Sequence, residues 1–99
     1  ERTAGATGSW RLLAVTRHSD VAPTLALSAG GAVHAAWVRQ RYGIRYTSNK
    51  TGTWGVEVVP GGTNGESPSI ALTNGGSPSV AFIWPVSRFN NALRIASKI

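Results

Sequence analysis

The sequence predicts an all-β protein built from two four-stranded antiparallel units, and three observations carry that expectation. The 99-residue chain repeats itself at a spacing of about forty-five residues. Its apolar residues fall in short β-branched and aromatic runs punctuated by glycine and proline, the pattern of strands joined by turns. No stretch sustains a 3.6-residue apolar period with capping residues at its ends, so helix is not expected.

The repeat is legible residue by residue. Pro23-Thr24-Leu25-Ala26-Leu27-Ser28-Ala29-Gly30-Gly31 lies without a gap over Pro68-Ser69-Ile70-Ala71-Leu72-Thr73-Asn74-Gly75-Gly76, an offset of 45. The match runs on through Ala36 with Ala81, Trp37 with Phe82 and Val38 with Ile83. A second pair, at an offset of 44, sets Gly8-Ser9-Trp10 over Gly52-Thr53-Trp54. Arg45-Tyr46-Thr47-Ser48 recurs four residues late as Arg94-Ile95-Ala96-Ser97, which locates an insertion within residues 85–91.

Each unit reads as four strands. The first covers residues 24–28 and is closed by the Gly30-Gly31 turn, where glycine supplies positive φ at little steric cost. The second covers 33–39, with 79–84 as its mate; the third is 44–48 and the fourth 53–59, closed by Pro60-Gly61-Gly62. Leu25 and Leu27 alternate with Ala26, and Val80 and Phe82 with Ala81 and Ile83, so the strands are apolar on both faces and their sheets are expected to be covered on both sides. A four-stranded unit of about 40–50 residues, repeated and sandwiched between neighbours, is the signature of a β-propeller blade. A single eight-stranded sandwich or two-sheet barrel is the competing all-β reading, but it would not require near-copies at a fixed spacing.

Ser48-Asn49-Lys50-Thr51-Gly52-Thr53-Trp54, following a strand with Arg45 and Tyr46, resembles the Asp box that joins the third and fourth strands of a blade in sialidase-like (BNR-type) propellers of secreted bacterial proteins. Lys50 stands where that box has its aspartate, and the segment is one residue short before Trp54. The resemblance implies a propeller architecture and a secreted, extracellular protein. In that family the box is structural and lies away from the active face.

In blade order the whole chain, 1–99, is a two-blade unit: residues 8–17 form a fourth strand, 23–59 a complete blade, and 68–97 the first three strands of the next. Residues 96–99 would lead into another copy's Thr7-Gly8-Ser9-Trp10 as Thr47-Ser48 leads into Thr51-Gly52-Thr53-Trp54, so the N-terminal strand is expected to complete a blade of another copy. A blade face spans very roughly 350–400 Å². Leaving one bare at each end forfeits about 10 kcal/mol per face, more than half of a typical domain's stability. Head-to-tail association closing a ring is therefore expected: a homo-oligomer, with a trimer of about six blades preferred over a dimer or tetramer.

Composition narrows the function. With no cysteine there is no disulfide, thiolate metal site or thiol nucleophile. No apolar run approaches the ~20 residues that a membrane-spanning helix needs, so membrane insertion is not expected. The start Glu1-Arg2-Thr3-Ala4-Gly5 is not a secretory leader, and its lack of an initiator Met suggests processing or excision. Ten basic residues against four acidic ones give a net charge of +6. The arginines are scattered singly, without the basic runs or aromatic motifs of a nucleic-acid surface, so nucleic acid is not an expected partner.

The acids are Glu1, Asp20, Glu57 and Glu66, too few for the carboxylate, tyrosine and arginine set of a sialidase, and no catalytic residue, cofactor or metal site is assigned. Glu57 reads as a charge guarding an edge strand. His34 falls in a strand where its repeat mate is Ser79, and reads as a hydrogen-bonded interior polar residue; His18, Ser19 and Asp20 are adjacent and cannot form a relay. Binding is the stronger expectation. In a propeller the loops between strands two and three and those between blades share one face. Here they bring Arg41, Tyr42, Arg88, Phe89, Asn90, Asn91, Asn64 and Glu66 together with Arg39 and Trp84 at strand ends. Guanidinium forks, carboxamides and an aromatic platform suit a glycan, so Arg39, Arg41, Tyr42, Trp84, Arg88 and Asn90 are the candidate ligand residues. Trp37 and Phe82 read as core between blades. Three functions stay open: a lectin-like oligomeric propeller, a structural blade pair (excised, reconstructed or designed) that closes a ring without a ligand, and a glycosidase remnant.

Overall fold

The computed structural model describes residues 14–15, 19–87 and 90–98. It is all-β, with seven strands and no helix among the described residues: β1 Asp20–Leu27, β2 Val33–Arg39, β3 Gly43–Ser48, β4 Gly55–Val58, β5 Glu66–Leu72, β6 Pro78–Pro85 and β7 Asn91–Ser97. They form two antiparallel meanders, one in the order β1-β2-β3-β4 and one in the order β5-β6-β7. The proposed N-terminal strand, residues 8–17, lies almost wholly outside the described residues, as do His18, Arg88 and Phe89.

The strand boundaries differ from the sequence expectation for local reasons. β1 begins four residues early, because pairing continues past Pro23 to Asp20↔Arg39 after a register shift between Val21 and Thr24. β5 has the same shift between Glu66 and Ser69, around Pro68. Proline has no N–H for the ladder, so each strand bulges at its proline. The residues just before them, Ala22 and Ser67, have φ of 53° and 50°. β4 is shorter than residues 53–59, since Thr53 and Trp54 belong to the β3–β4 connection and regular pairing ends at Val58, with Val59 N–H still donating to Ile44 O at 3.1 Å.

The β1–β2 and β5–β6 turns are built alike. Gly31 N–H donates to Ser28 O, and Gly76 N–H to Thr73 O, each at 2.9 Å. The Ser28 and Thr73 hydroxyls accept from Ala32 N–H and Ser77 N–H, each at 3.1 Å. Gly31 and Gly76 have φ of 86° and 83°, a region in which a side chain is disfavoured.

Strand alternation sets the faces. In the first sheet His34, Ala36 and Val38 stand opposite Ser48, Tyr46 and Ile44. This face packs on Val80 and Phe82 of β6, with Val59, Ile70, Trp84 and Ala96 around them. Phe82, Ile44, His34 and Thr47 are the largest fully buried side chains, and burying a phenylalanine or isoleucine contributes about 1.5–3 kcal/mol. β5 lies across β1 and β2, so the sheets meet most closely at their first strands. The opposite face of the second sheet is open, and that of the first is open at its margins. On the first, Leu25, Leu27 and Val58 are 64%, 65% and 64% exposed; on the second, Leu93 and Ile95 are 67% and 64% exposed. Trp37 and Thr47 stand at the middle of the first sheet's opposite face and are buried there, the Trp37 indole N–H donating to Asp20 Oδ1 at 2.9 Å. There Trp37 lines a cleft of about 400 Å³ with Leu25, Thr47 and Trp54.

Candidate functional site

The β2–β3 turn sets the geometry of the candidate ligand residues. Tyr42 N–H donates to Arg39 O at 2.9 Å and Gln40 N–H donates to Ser19 O at 2.9 Å, which pins the turn on both sides. Arg41 between them takes φ 75°, and Asn64 in the β4–β5 connection takes φ 64°. Non-glycine residues held in this region cost roughly 1–3 kcal/mol and concentrate where function constrains the backbone.

Arg39, Arg41, Asn64 and Glu66 line one open cleft of about 600 Å³ with Gln40 and Pro85. Two guanidiniums, two carboxamides and one carboxylate make this a polar, mainly cationic surface able to fork onto hydroxyls or a carboxylate. The Arg39 guanidinium stacks over the Tyr42 ring at 4.7 Å, leaving Tyr42 57% exposed on the same turn.

Trp84 is drawn into other work. Its indole N–H donates to Thr63 O at 2.8 Å, and the Arg94 guanidinium lies 3.9 Å from its ring centroid while donating to Gly61 O at 3.0 Å. This stack ties β6 and β7 to the connection that leaves β4. Asn90 closes the β6–β7 connection through its backbone, its carbonyl accepting from Val86 N–H and Ser87 N–H at 3.0 Å. Three of the six candidates, Arg39, Arg41 and Tyr42, thus gather at the β2–β3 turn and the cleft beside it, Trp84 and Asn90 serve the fold around them, and Arg88 lies outside the described residues.

At the other end of the strands lies a smaller cleft of about 340 Å³ between the two sheets, lined by His34, Tyr46, Lys50, Glu57, Ser77 and Lys98 among others. His34 is 1% exposed, and its Nδ1 is 2.7 Å from the Tyr46 hydroxyl. Burial, followed by the nearby Lys50 charge, holds its pKa below the ordinary 6.5. Lys98 Nζ donates to Glu57 Oε2 at 2.6 Å, a link from the end of β7 to β4. That hydrogen bond leads the causes that raise the Lys98 pKa above its ordinary value. Glu57 therefore joins the sheets as well as marking an edge. Tyr46, Lys50 and Lys98 were not among the candidates. The His34–Tyr46 proximity follows from the β2–β3 hairpin register, but the lysines meet only through packing between sheets, which no local pattern encodes.

In the segment that resembles an Asp box, Asn49 Oδ1 accepts from Val33 N–H at 2.8 Å and the Ser48 hydroxyl accepts from Lys50 N–H at 2.9 Å. The carboxamide and hydroxyl order the turn, and Lys50 is left to reach the β5–β6 turn near Gly76. Among the described residues no three of His, Asp and Glu come together as a metal site. No family model matches the chain, and no curated protein or solved structure does.

Proposed function

We propose that the chain is a non-enzymatic, self-assembling β-propeller unit: two blades that close a ring by head-to-tail association with further copies. Within that class we infer a lectin-like protein that presents the Arg39/Arg41 cleft to a glycan once per chain.

One observation carries the assembly. Ala71, Ala81, Ile83, Leu93 and Ile95 on the open face of the second sheet stand 45 or 49 residues after Ala26, Ala36, Val38, Ile44 and Tyr46, the face of the first sheet that packs inward. Reciprocally, Leu25, Ala35, Trp37, Arg45 and Thr47 on the first sheet's opposite face, where Leu25 is exposed and Trp37 and Thr47 are buried, precede Ile70, Val80, Phe82, Arg94 and Ala96, the inward face of the second, by the same offsets. The two outward faces are therefore chemical counterparts of the two that already pack. A contact between different faces is heterologous and propagates until a ring closes. Among the described residues β7 pairs only with β6, and its other edge offers the place for another copy's residues 8–17, as β4 lies on β3. The resemblance to sialidase-like blades and a secreted location belong to the same reading.

The glycan reading rests on the paired arginines and the strained Arg41 and Asn64 backbones at one cleft. The ligand-free structural ring is favoured by the engagement of Trp84 with Arg94 and Thr63, which removes the most obvious sugar platform. Light scattering at micromolar concentration and a glycan array on the same sample test both parts. A trimer of about six blades is expected, with glycan binding that Arg41→Ala abolishes. A stable monomer overturns the ring, and a ring that binds no glycan leaves the structural reading.

A further inference from the structure

We propose that the cleft between the two sheets at the β3–β4 turn binds a compact oxyanion, held by the Lys50 ammonium and by His34 Nε2–H. The site lies at the opposite end of β2 from the Arg39/Arg41 turn and does not depend on the glycan reading.

Two independent features converge there. His34 Nε2 is buried without a hydrogen-bond partner, the one such side-chain atom among the described residues. Buried polar atoms are almost always satisfied, so an orphan on a cleft-lining side chain marks a missing partner. Secondly, the charges do not balance. Lys98 is committed to Glu57, whereas Lys50 has no ion pair among the described residues. A surplus cation, and an unsatisfied ring nitrogen buried in a side chain that walls a 340 Å³ space, call for an acceptor carrying negative charge, and charge-assisted hydrogen bonds to it are the stronger kind.

The tautomer follows. When the Tyr46 O–H donates to His34 Nδ1, Nε2 carries the proton and can donate to the anion. The hydroxyls of Thr51 and Ser77 at the rim add donors for the remaining oxygens. The volume accepts a phosphate, a sulfate or the carboxylate end of a small molecule, which share this chemistry.

Isothermal titration of the full chain with inorganic phosphate, sulfate and acetate at constant ionic strength tests the site. Saturable binding of at least one of them is expected, and the tightest indicates the natural class. Lys50→Gln should weaken it about tenfold, the effect of losing one charge-assisted contact. Because His34 variants disturb the interior, His34 is read in the unmutated protein, where the ring ¹⁵N resonances should show the Nε2–H pattern throughout and the Nε2 resonance should shift as the anion saturates. Absence of saturation with all three anions, equal affinity in Lys50→Gln, or His34 resonances that stay still would each overturn the proposal.

Discussion

Ile95 holds in β7 the place that Tyr46 holds in β3. Each is paired across its ladder with an alanine, Ala81 for Ile95 and Ala36 for Tyr46, yet Tyr46 is 7% exposed and Ile95 is 64% exposed. The difference lies in what covers them. Tyr46 faces the second sheet, whereas the face that carries Ile95 meets no other strand among the described residues.

This asymmetry yields the most direct test of ring closure. Ile95→Lys places an ammonium where the ring would bury an apolar side chain, and an unpaired charge is not tolerated there. The expected outcome is a single-chain mass by light scattering with an unchanged far-ultraviolet circular dichroism spectrum. An oligomer of undiminished mass would place the interface elsewhere.

Phe82 is the largest fully buried side chain and sits where the sheets meet. Phe82→Ala removes its contacts and leaves a cavity, a change that costs about 3–5 kcal/mol in a well-packed core. Equilibrium urea denaturation reads it as a lower midpoint with a similar slope. A loss below about 1 kcal/mol would mean that the sheets do not share this core.

His34 makes stability depend on pH. Its folded pKa is depressed, so between that value and the ordinary 6.5 the unfolded chain binds more protons than the folded one. The stability contributed by neutral His34 is complete above 6.5 and is lost as pH falls below it, toward the folded pKa. Denaturation midpoints at pH 7.5 and pH 5.5 should differ more in the unmutated protein than in His34→Gln. Equal differences would assign the pH dependence to the carboxylates.

Much of the strand layout could be read from the chain because its signals are local. Gly31 and Gly76 stand at turns, Pro23 and Pro68 disrupt the ladder, and the β2–β3 hairpin follows from alternation on either side of residues 40–42. What escaped is what depends on packing between sheets. Nothing near Lys98 in the chain points to Glu57, and nothing near Trp84 shows that Arg94 and the Thr63 carbonyl occupy it. The sequence placed a tryptophan at a strand end beside arginines; whether its ring is open to a ligand is decided by the neighbouring sheet.

Gly43 is required by close approach. It has φ 116°, and a Cβ there would fall 2.8 Å from Thr63 Cα and closer still to the Gly62 carbonyl oxygen, which accepts the Ile44 N–H at 3.1 Å. Gly43→Ala combines backbone strain with a clash against backbone, for a loss of about 2–4 kcal/mol. Gly30→Ala, which meets nothing within 4 Å, should leave the thermal midpoint nearly unchanged. If the two variants melt together, the β4–β5 connection does not pack on Gly43.

Arg41 sets stability against binding. Its φ of 75° is the left-handed conformation that glycine adopts without steric cost, so Arg41→Gly should relieve strain worth about 1 kcal/mol, part of it returned as unfolded-state entropy. The same change removes a guanidinium from the 600 Å³ cleft. If the arginine is kept for ligand recognition, Arg41→Gly unfolds at equal or higher denaturant concentration yet loses glycan binding, whereas Arg41→Lys keeps the strain and restores part of the affinity as a cation without the planar fork. A turn retained only for the fold gives the same order of stabilities, and no ligand distinguishes the three proteins. Running denaturation and glycan binding on the same three samples separates the lectin from the ligand-free ring at the residue where their demands conflict.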